Sequence, residues 1–168
     1  MAKESKKDLQ AKLWKMIKGI QTAMLTTACP DGSLRSRPMA TQRKEFDGNL
    51  WFFTGVSSEK VHEIENDQHV NLAYADPSKD RYVSVSGTGR IVRDRQKMKE
   101  LWNPIVKAYF PGGLDDPEIA LLRVTVNQAE YWDAPGGRMI QLFGIVKAAV
   151  TGKPARPGEN KKVRMEGV

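Results

Sequence analysis

The sequence predicts a mainly β protein of the α+β class, a small antiparallel barrel of five or six strands with flanking helices. Three observations predict it. Short apolar runs rich in β-branched and aromatic residues recur along the chain and are separated by turns of Gly, Pro and Asp. Helical periodicity is confined to a few short stretches. Gly87 and Gly89 interrupt the longest strand-like run, as expected where a strand bends at a barrel corner.

The first third of the chain predicts a helix followed by strands. Apolar residues at helical spacing indicate a helix over 4–19, ended by Gly19. Pro30-Asp31-Gly32 supplies turn dihedrals and indicates a hairpin. The strands of this part are expected over residues 22–28, 34–42 and 50–54.

The remainder predicts three further strands and two helices. Asp94 is placed to cap a helix whose apolar face runs from Met98 to Tyr109, and Pro104 should kink or restart that helix. The strands are expected over residues 69–75, 81–92 and 121–132, and a last helix over 139–150. Residues 1–150 therefore form one domain, and residues 151–168 are expected to be a flexible basic tail.

The net charge of +7 is concentrated at the ends of the chain. Residues 1–12 carry four lysines against two acids, and residues 147–168 carry six Lys and Arg against two acids. A net charge of +1 remains for residues 13–146. A basic nucleic-acid-binding domain is thus a competing hypothesis that the placement of charge disfavours, and we expect no specific nucleic-acid partner.

Several other classes are disfavoured by what the sequence lacks. No apolar run approaches the roughly 18 residues of a membrane span, and residues 1–12 contain no secretory h-region. The single Cys29 forms no internal disulfide, so we expect a cytoplasmic protein, and Cys29 has no evident base that would make it a nucleophile. His62 and His69 lack a metal spacing, and Gly-x-Ser-x-Gly, Rossmann and P-loop motifs are missing.

Residues 50–60 suggest an anion site. A buried strand should break at Gly55, which permits a φ > 0 turn, and Ser57 and Ser58 suit the N-cap of a helix. Lys60 then falls in the first helical turn, where the positive end of the helix dipole disfavours a cation. Backbone N–H groups, two hydroxyls and an ammonium could cradle a phosphate. A solvated helix start with a surface lysine is the alternative.

Two more features accompany this stretch. Arg35 and Arg37 fall on one face of a strand and could be solvated, or one could bind a phosphate bidentately. Trp132, just before a Pro-Gly loop, suits a core position or a contact with a planar ring.

Four motifs occur in the order Arg37-Pro-Met, Trp51-Phe-Phe-Thr54-x-x-x-Ser58-x-Lys60, Tyr82-Val-Ser-Val-Ser-Gly87 and Glu130-Tyr-Trp132. Together they resemble the FMN-binding split-barrel superfamily typified by pyridoxamine 5′-phosphate oxidase. Within it, Leu101-Trp-Asn-Pro and Tyr131-Trp-Asp-Ala-Pro-Gly are similar to the bacterial general stress protein branch. The resemblance implies a six-stranded antiparallel split β-barrel that forms a homodimer, with FMN at the subunit interface.

The same resemblance implies the site residues. The FMN phosphate would be held by Arg37, Ser58 and Lys60, and Pro38, Met39, Phe53 and Thr54 would line the rest of the cofactor. Gln42 stands near the flavin where the oxidases have a lysine. Tyr82, Ser84 and Trp132 would come from the second copy of the chain.

Two departures from the oxidases bear on activity. One is Gln42, and the other is the stretch Arg138-Met139-Ile140-Gln141-Leu142, where the oxidases have Arg-Leu-His-x-Arg. Alkyl groups cannot replace charged donors, which argues against pyridoxamine 5′-phosphate oxidation. The resemblance then implies a flavin-dependent oxidoreductase of a small substrate, with a reduced nicotinamide as possible donor. The alternative is a non-catalytic flavin protein for storage or redox sensing.

Overall fold

The computed structural model describes residues 5–42, 46–133 and 159–164. Seven antiparallel strands and four helices form these parts of the chain. The strands are β1 Thr22–Ala28, β2 Leu34–Ala40, β3 Asn49–Gly55, β4 His69–Asp76, β5 Arg81–Val92, β6 Ile119–Asp133 and β7 Glu159–Arg164. The helices are α1 Lys6–Ile17, α2 Glu59–Asn66, α3 Arg95–Leu101 and α4 Pro104–Tyr109, with short 3₁₀ turns at Pro77–Lys79 and Gly113–Asp115.

Six strands make the main sheet in the order β2-β1-β4-β5-β6-β3, which confirms the predicted six-stranded antiparallel barrel. The two end strands approach each other where the backbone N–H of Gln42 donates to the carbonyl oxygen of Trp51 at 2.9 Å. The β1–β2 hairpin turns through Gly32, whose φ of 84° favours glycine. The predicted turn chemistry therefore produces the predicted pairing.

The seventh strand corrects the predicted tail. Residues 159–164, expected to be flexible, form β7 against residues 128–133 of β6. β3 pairs with residues 119–125 of the same long strand, so β7 takes over the edge of β6 where β3 ends. Pairing of that edge satisfies backbone groups that would otherwise be exposed. The predicted loop 134–137 and helix 139–150 lie outside the described residues, as does Arg138.

A bulge in β5 confirms the bend expected near the paired glycines. The register between β5 and β6 shifts at Ser86 and Gly87. A Cβ on Gly87 would lie 2.4 Å from the carbonyl oxygen of Thr125. Glycine is therefore required by the close approach of the two backbones.

Two apolar clusters organise the packing. The larger fills the barrel interior with fully buried side chains such as Leu25, Phe52 and Leu72, closed at one end by α1. The smaller packs α3 and α4 against the outside of β3 through Met98, Leu101 and Val106. Asp94 caps α3 and Pro104 begins α4, as predicted.

The wide apolar face predicted for these two helices is only partly buried. Ile105 is 56% exposed and Tyr109 is 79% exposed, and the extended backbone of Asn103 separates α4 from α3. No helix among the described residues has the length and apolarity that a membrane crossing needs.

Candidate functional site

A cavity of about 540 Å³ lies at the seam where β2 and β3 approach each other, beside α4. Its volume is in the range of small-molecule sites. Six of the predicted site residues line it, namely Pro38, Met39, Gln42, Phe53, Thr54 and Lys60. The structure thus brings together residues from β2, β3 and α2 that are separated by up to 22 positions in the chain.

The turn from β3 into α2 shapes one end of this cavity. Ser58 is the N-cap residue of α2, with extended backbone angles, but its hydroxyl donates to the carbonyl oxygen of Gly55 at 2.7 Å. The Ser58 side chain therefore does not bond the N–H groups of the first turn of α2. The oxygens of Ser58 and Thr54 lie 3.3 Å apart.

Two details of the turn differ from the prediction. The backbone at Gly55 does not adopt a positive φ. Ser57 is not the cap, and its hydroxyl and N–H donate to the carboxylate of Glu118. The turn is consequently held by Glu118, the residue just before β6. The N–H of Val61 donates to the carbonyl oxygen of Ser58 at 3.0 Å, which leaves the N–H groups of Glu59 and Lys60 available to a ligand.

Lys60 is the second residue of α2 and is partly buried in the wall of the cavity. Burial lowers the pKa of its ammonium, the nearby charge of Arg37 lowers it further, and Glu63 opposes both. Among the described residues, no carboxylate forms an ion pair with Lys60. The charge and the free helix N–H groups together favour an anion at this end of the cavity.

Arg37 is anchored beside this point by a buried carboxylate. Its Nη2 donates to Glu63 Oε2 at 2.6 Å, and its Nη1 donates to the hydroxyl of Thr27. Arg35 binds Glu59 and lies 3.4 Å from Glu63 Oε1. Glu63 is 5% exposed. The two arginines therefore share acidic partners on α2.

The role of Glu63 could not be recognised in the sequence. An acid four residues after Glu59 in a short amphipathic helix has the pattern of a solvated face. Its partner Arg37 is 26 positions away, and no local pattern connects them. The contact between Glu63 and Arg37 forms only because α2 packs across the end of β1 and β2.

Tyr82, Ser84 and Trp132 do not line this cavity. They lie on what we term the outer face, the side of strands β1, β2, β4, β5 and β6 that points away from the barrel interior. Tyr82 and Trp132 are opposite each other in register and are 42% and 37% exposed. The hydroxyl of Ser84 accepts a hydrogen bond from the amide of Asn71 at 2.9 Å.

In the two rows that cross the centre of the outer face, the charged residue is Glu130, which lies 3.9 Å from the ammonium of Lys162 on β7, and the other residues are uncharged. One row across the sheet contains Pro38, Met24, Ala73, Ser84 and Glu130. The neighbouring row contains Ser36, Thr26, Asn71, Ser86 and Gln128. Thr22, Pro38 and Ala40 lie on this face and also line the cavity, so the cavity opens toward it.

Comparison with known proteins identifies the family. The profile described as pyridoxamine 5′-phosphate oxidase like matches residues 8–155. The chain belongs to the pyridoxamine 5′-phosphate oxidase-like family. This assignment confirms the resemblance inferred from the ordered motifs.

Three proteins that are similar to this chain can be compared with it. A crystal structure from Jannaschia sp. CCS1 is 27% identical, with a TM-score of 0.73, and the match covers 94% of this chain and 99% of that one. The general stress FMN/FAD binding protein of Xanthomonas citri is 35% identical, with a TM-score of 0.66 and coverages of 76% and 89%. Protein bli-3 of Neurospora crassa is 30% identical over 154 residues, 86% of this chain and 74% of that protein.

The side chain of Gln42 is hydrogen-bonded on both sides at the seam. Its Nε2 donates to the carbonyl oxygen of Ala40 at 3.1 Å, and its Oε1 accepts from Asn103 Nδ2 at 2.9 Å. Asn103 also caps α4 through the N–H groups of Ile105 and Val106. Gln42 therefore joins the end of β2 to the start of α4 with a neutral group.

Proposed function

We propose that this chain binds FMN in the cavity at the seam and uses it as a flavin-dependent oxidoreductase. The observation that carries the proposal is Lys60, a partly buried ammonium with no ion pair among the described residues, at the N-terminal turn of α2. The doubly charged phosphate of FMN is the group that such a cradle favours. The FMN/FAD binding protein of Xanthomonas citri, at 35% identity, supports the same ligand class.

The residues present fit the two ends of this cofactor. Lys60 would hold the phosphate together with the N–H groups of Glu59 and Lys60, and Ser58 would join them by exchanging its hydrogen bond to Gly55 for one to the phosphate. Arg37 would add its remaining donors from the Glu63 pair. Phe53, Met39 and Pro38 supply an apolar lining for the ring system, and Thr54 and Gln42 supply polar atoms. When bound, FMN supplies one- and two-electron chemistry that the side chains of this site lack.

We infer that two copies assemble through their outer faces. The charge-poor rows around Met24 and Ala73, with the exposed side chains of Tyr82 and Trp132, have the composition of an interface core. Because the cavity opens toward this face, a second copy would cover the cofactor and exclude water from it. Tyr82, Ser84 and Trp132 of the second copy would then line the site.

Binding is tested by titrating the purified protein with FMN and with riboflavin while the flavin spectrum is recorded. Lys60→Ala should weaken FMN binding by about 1.5–3 kcal/mol, the value of a lost charged hydrogen bond, which is about tenfold to a hundredfold in Kd. Riboflavin has no phosphate, so its Kd should hardly change. Lys99→Ala, an exposed lysine on α3, is the matched control.

Two outcomes contradict the binding proposal. One is an unshifted flavin spectrum at saturating FMN. The other is an equal loss of FMN and riboflavin affinity in Lys60→Ala, since a phosphate contact acts on FMN alone.

Catalysis is tested with the FMN-loaded protein, a reduced nicotinamide donor and small organic acceptors such as quinones. Steady consumption of the donor above the rate of free FMN supports the oxidoreductase. Saturable FMN binding without turnover of any acceptor would instead leave a flavin protein for storage or redox sensing.

Assembly is tested by light scattering of Met24→Glu, which places a carboxylate in the centre of the outer face, where Met24 is 43% exposed. We expect monomers with weakened FMN binding, because burying an unpaired charge opposes association. Lys18→Glu, outside that face, should remain dimeric. A wild-type protein that is monomeric at high concentration with FMN bound would refute the interface.

A further inference from the structure

The helix α4 forms one side of the cavity at the seam and leaves most of its apolar side chains exposed. Ile105, Val106 and Tyr109 line the cavity. Val106 is buried, whereas Ile105 and Tyr109 are 56% and 79% exposed. Ile105 and Tyr109 are one helical turn apart, so their side chains are neighbours on the surface of α4. Two neighbouring exposed apolar side chains in the lining of a cavity indicate a surface that a ligand covers.

Packing alone does little to hold the start of α4 in place. The helix has six residues, and Val106 is its buried side chain. A second cavity of about 610 Å³ adjoins the start of α4, and its lining includes Asn103. Gln42 and Ile105 line both cavities, so open space flanks them on two sides. Hydrogen bonds must therefore supply the positioning that close packing supplies elsewhere in the fold.

The side chain of Asn103 makes these hydrogen bonds. Its Oδ1 accepts from the backbone N–H groups of Ile105 at 3.0 Å and Val106 at 3.1 Å. Because the atom that faces two N–H groups must be the amide oxygen, Nδ2 is left to donate to Gln42 Oε1 at 2.9 Å. The Nε2 of Gln42 then donates to the carbonyl oxygen of Ala40 at 3.1 Å. The N–H groups of α4 thus orient both amides, and the amides tie α4 to the end of β2.

We propose that Asn103 is a positioning residue that holds α4 against the seam through Gln42. Ile105 and Tyr109 then form the wall on which the ring system of the flavin packs. This inference rests on the proposed function and adds side chains of α4 that the sequence did not indicate as site residues. The wall is uncharged, and Lys60, the charged residue of the lining, belongs to α2. The wall should therefore act on the ring and leave the phosphate to Lys60.

Variants of Tyr109 test the wall, and the exposure of this side chain means that they should fold normally. In titrations with FMN and riboflavin, Tyr109→Leu should weaken both flavins equally, by about twofold to tenfold in Kd, the range for a lost aromatic contact. Lys60→Ala acts on FMN alone. Because an adjacent phenol quenches flavin fluorescence by electron transfer to the excited ring, the bound flavin should be brighter in Tyr109→Leu. Tyr109→Phe should keep the affinity and also be brighter.

Variants of Asn103 and Gln42 test the positioning. Asn103→Ser retains a good helix cap but is too short to reach Gln42. Loss of one neutral hydrogen bond reduces the fraction of molecules with α4 in place, so both flavins should bind up to about tenfold more weakly and fluoresce more strongly when bound. Gln42→Met, of similar shape but without the amide, should do the same. The double variant should be little weaker than either single variant, because both residues act through one hydrogen bond.

Hydrogen exchange of the protein without flavin gives a readout that does not depend on the cofactor. The backbone N–H of Phe110 donates to the carbonyl oxygen of Val106 at 2.9 Å and reports whether α4 is formed. It should exchange faster in Asn103→Ser and in Gln42→Met, and at the wild-type rate in Tyr109→Leu. Lys107→Gln, exposed on α4 and outside the cavity lining, is the matched control for the titrations and for the exchange.

Three results overturn this inference and leave the proposed function standing. The first is wild-type flavin affinity and fluorescence in Tyr109→Leu. The second is an unchanged exchange rate of the Phe110 N–H in both Asn103→Ser and Gln42→Met. The third is fully additive losses of flavin affinity in the double variant. A wild-type protein that binds neither FMN nor riboflavin refutes the proposed function, and the wall with it.

Discussion

Replacing Glu63 by glutamine should destabilise the fold more than any other conservative change on α2. The Glu63 carboxylate is 5% exposed and accepts hydrogen bonds from Thr27 Oγ1 at 2.5 Å and from Arg37 Nη2 at 2.6 Å. The thiol of Cys29 lies 3.6 Å from its other oxygen. Glutamine has nearly the same shape, so the variant removes the charge without opening a cavity.

The magnitude follows from what the variant leaves behind. Removing one partner of a buried ion pair costs about 3–5 kcal/mol, because the other charge stays buried without compensation. The Arg37 side chain is 18% exposed, and an amide oxygen can still accept one bond, which favours the lower end. We expect the free energy of unfolding to fall by about 3 kcal/mol, or roughly 6–12 °C in Tm for a domain of this size.

The pH dependence gives a second signature. Burial raises the pKa of the Glu63 carboxyl, but the hydrogen bonds from Thr27 and Arg37 and the charge of Arg37 outweigh burial and leave the pKa below its ordinary value of 4.5. A lowered pKa in the folded state stabilises the protein above the unfolded-state pKa, and this stabilisation is lost as the pH falls through the folded-state pKa. The difference between wild type and Glu63→Gln should therefore be constant near neutral pH and shrink below about pH 4.5.

Urea denaturation monitored by tryptophan fluorescence, repeated from pH 7 downward, measures both effects. Glu65→Gln, on the exposed side of the same helix, is the matched control and should change the free energy of unfolding by less than about 0.5 kcal/mol. A loss below about 1 kcal/mol in Glu63→Gln, or a difference that does not depend on pH, would refute the assignment of a buried ionised pair.

Two further predictions concern the bulge and the basic terminus. Gly87→Ala should lower the free energy of unfolding by about 1–3 kcal/mol, because its Cβ would meet the backbone of Thr125, whereas Gly19→Ala, with open space around its Cβ, should stay within about 1 kcal/mol of wild type. Equal melting temperatures of the two variants would contradict the close approach. Changing the six Lys and Arg residues of 147–168 to Gln should abolish salt-dependent DNA affinity, since residues 13–146 carry a net charge of only +1. Salt-dependent affinity retained in that variant would show a basic docking face on the barrel.

Local chemistry explains which parts of the fold were predictable. Alternating burial over Thr22–Ala28 and Asn49–Gly55, and the turn residues beside them, act over a few positions, so the strands were found within one or two residues. The same applies to the cap at Asp94 and to the restart at Pro104. The strand β7 was missed because its Lys-rich sequence has no apolar alternation and is ordered by pairing with β6.

The site divides in the same way. By itself, the sequence determined that Lys60 occupies the first turn of a helix after an apolar strand, because strand, turn and helix start are contiguous. Only the tertiary structure decided that Glu63 is buried with Arg37 and that Thr54 and Pro38 share a cavity. The physical reason is that burial and charge at these residues depend on strand order and helix packing, which join positions far apart in the chain.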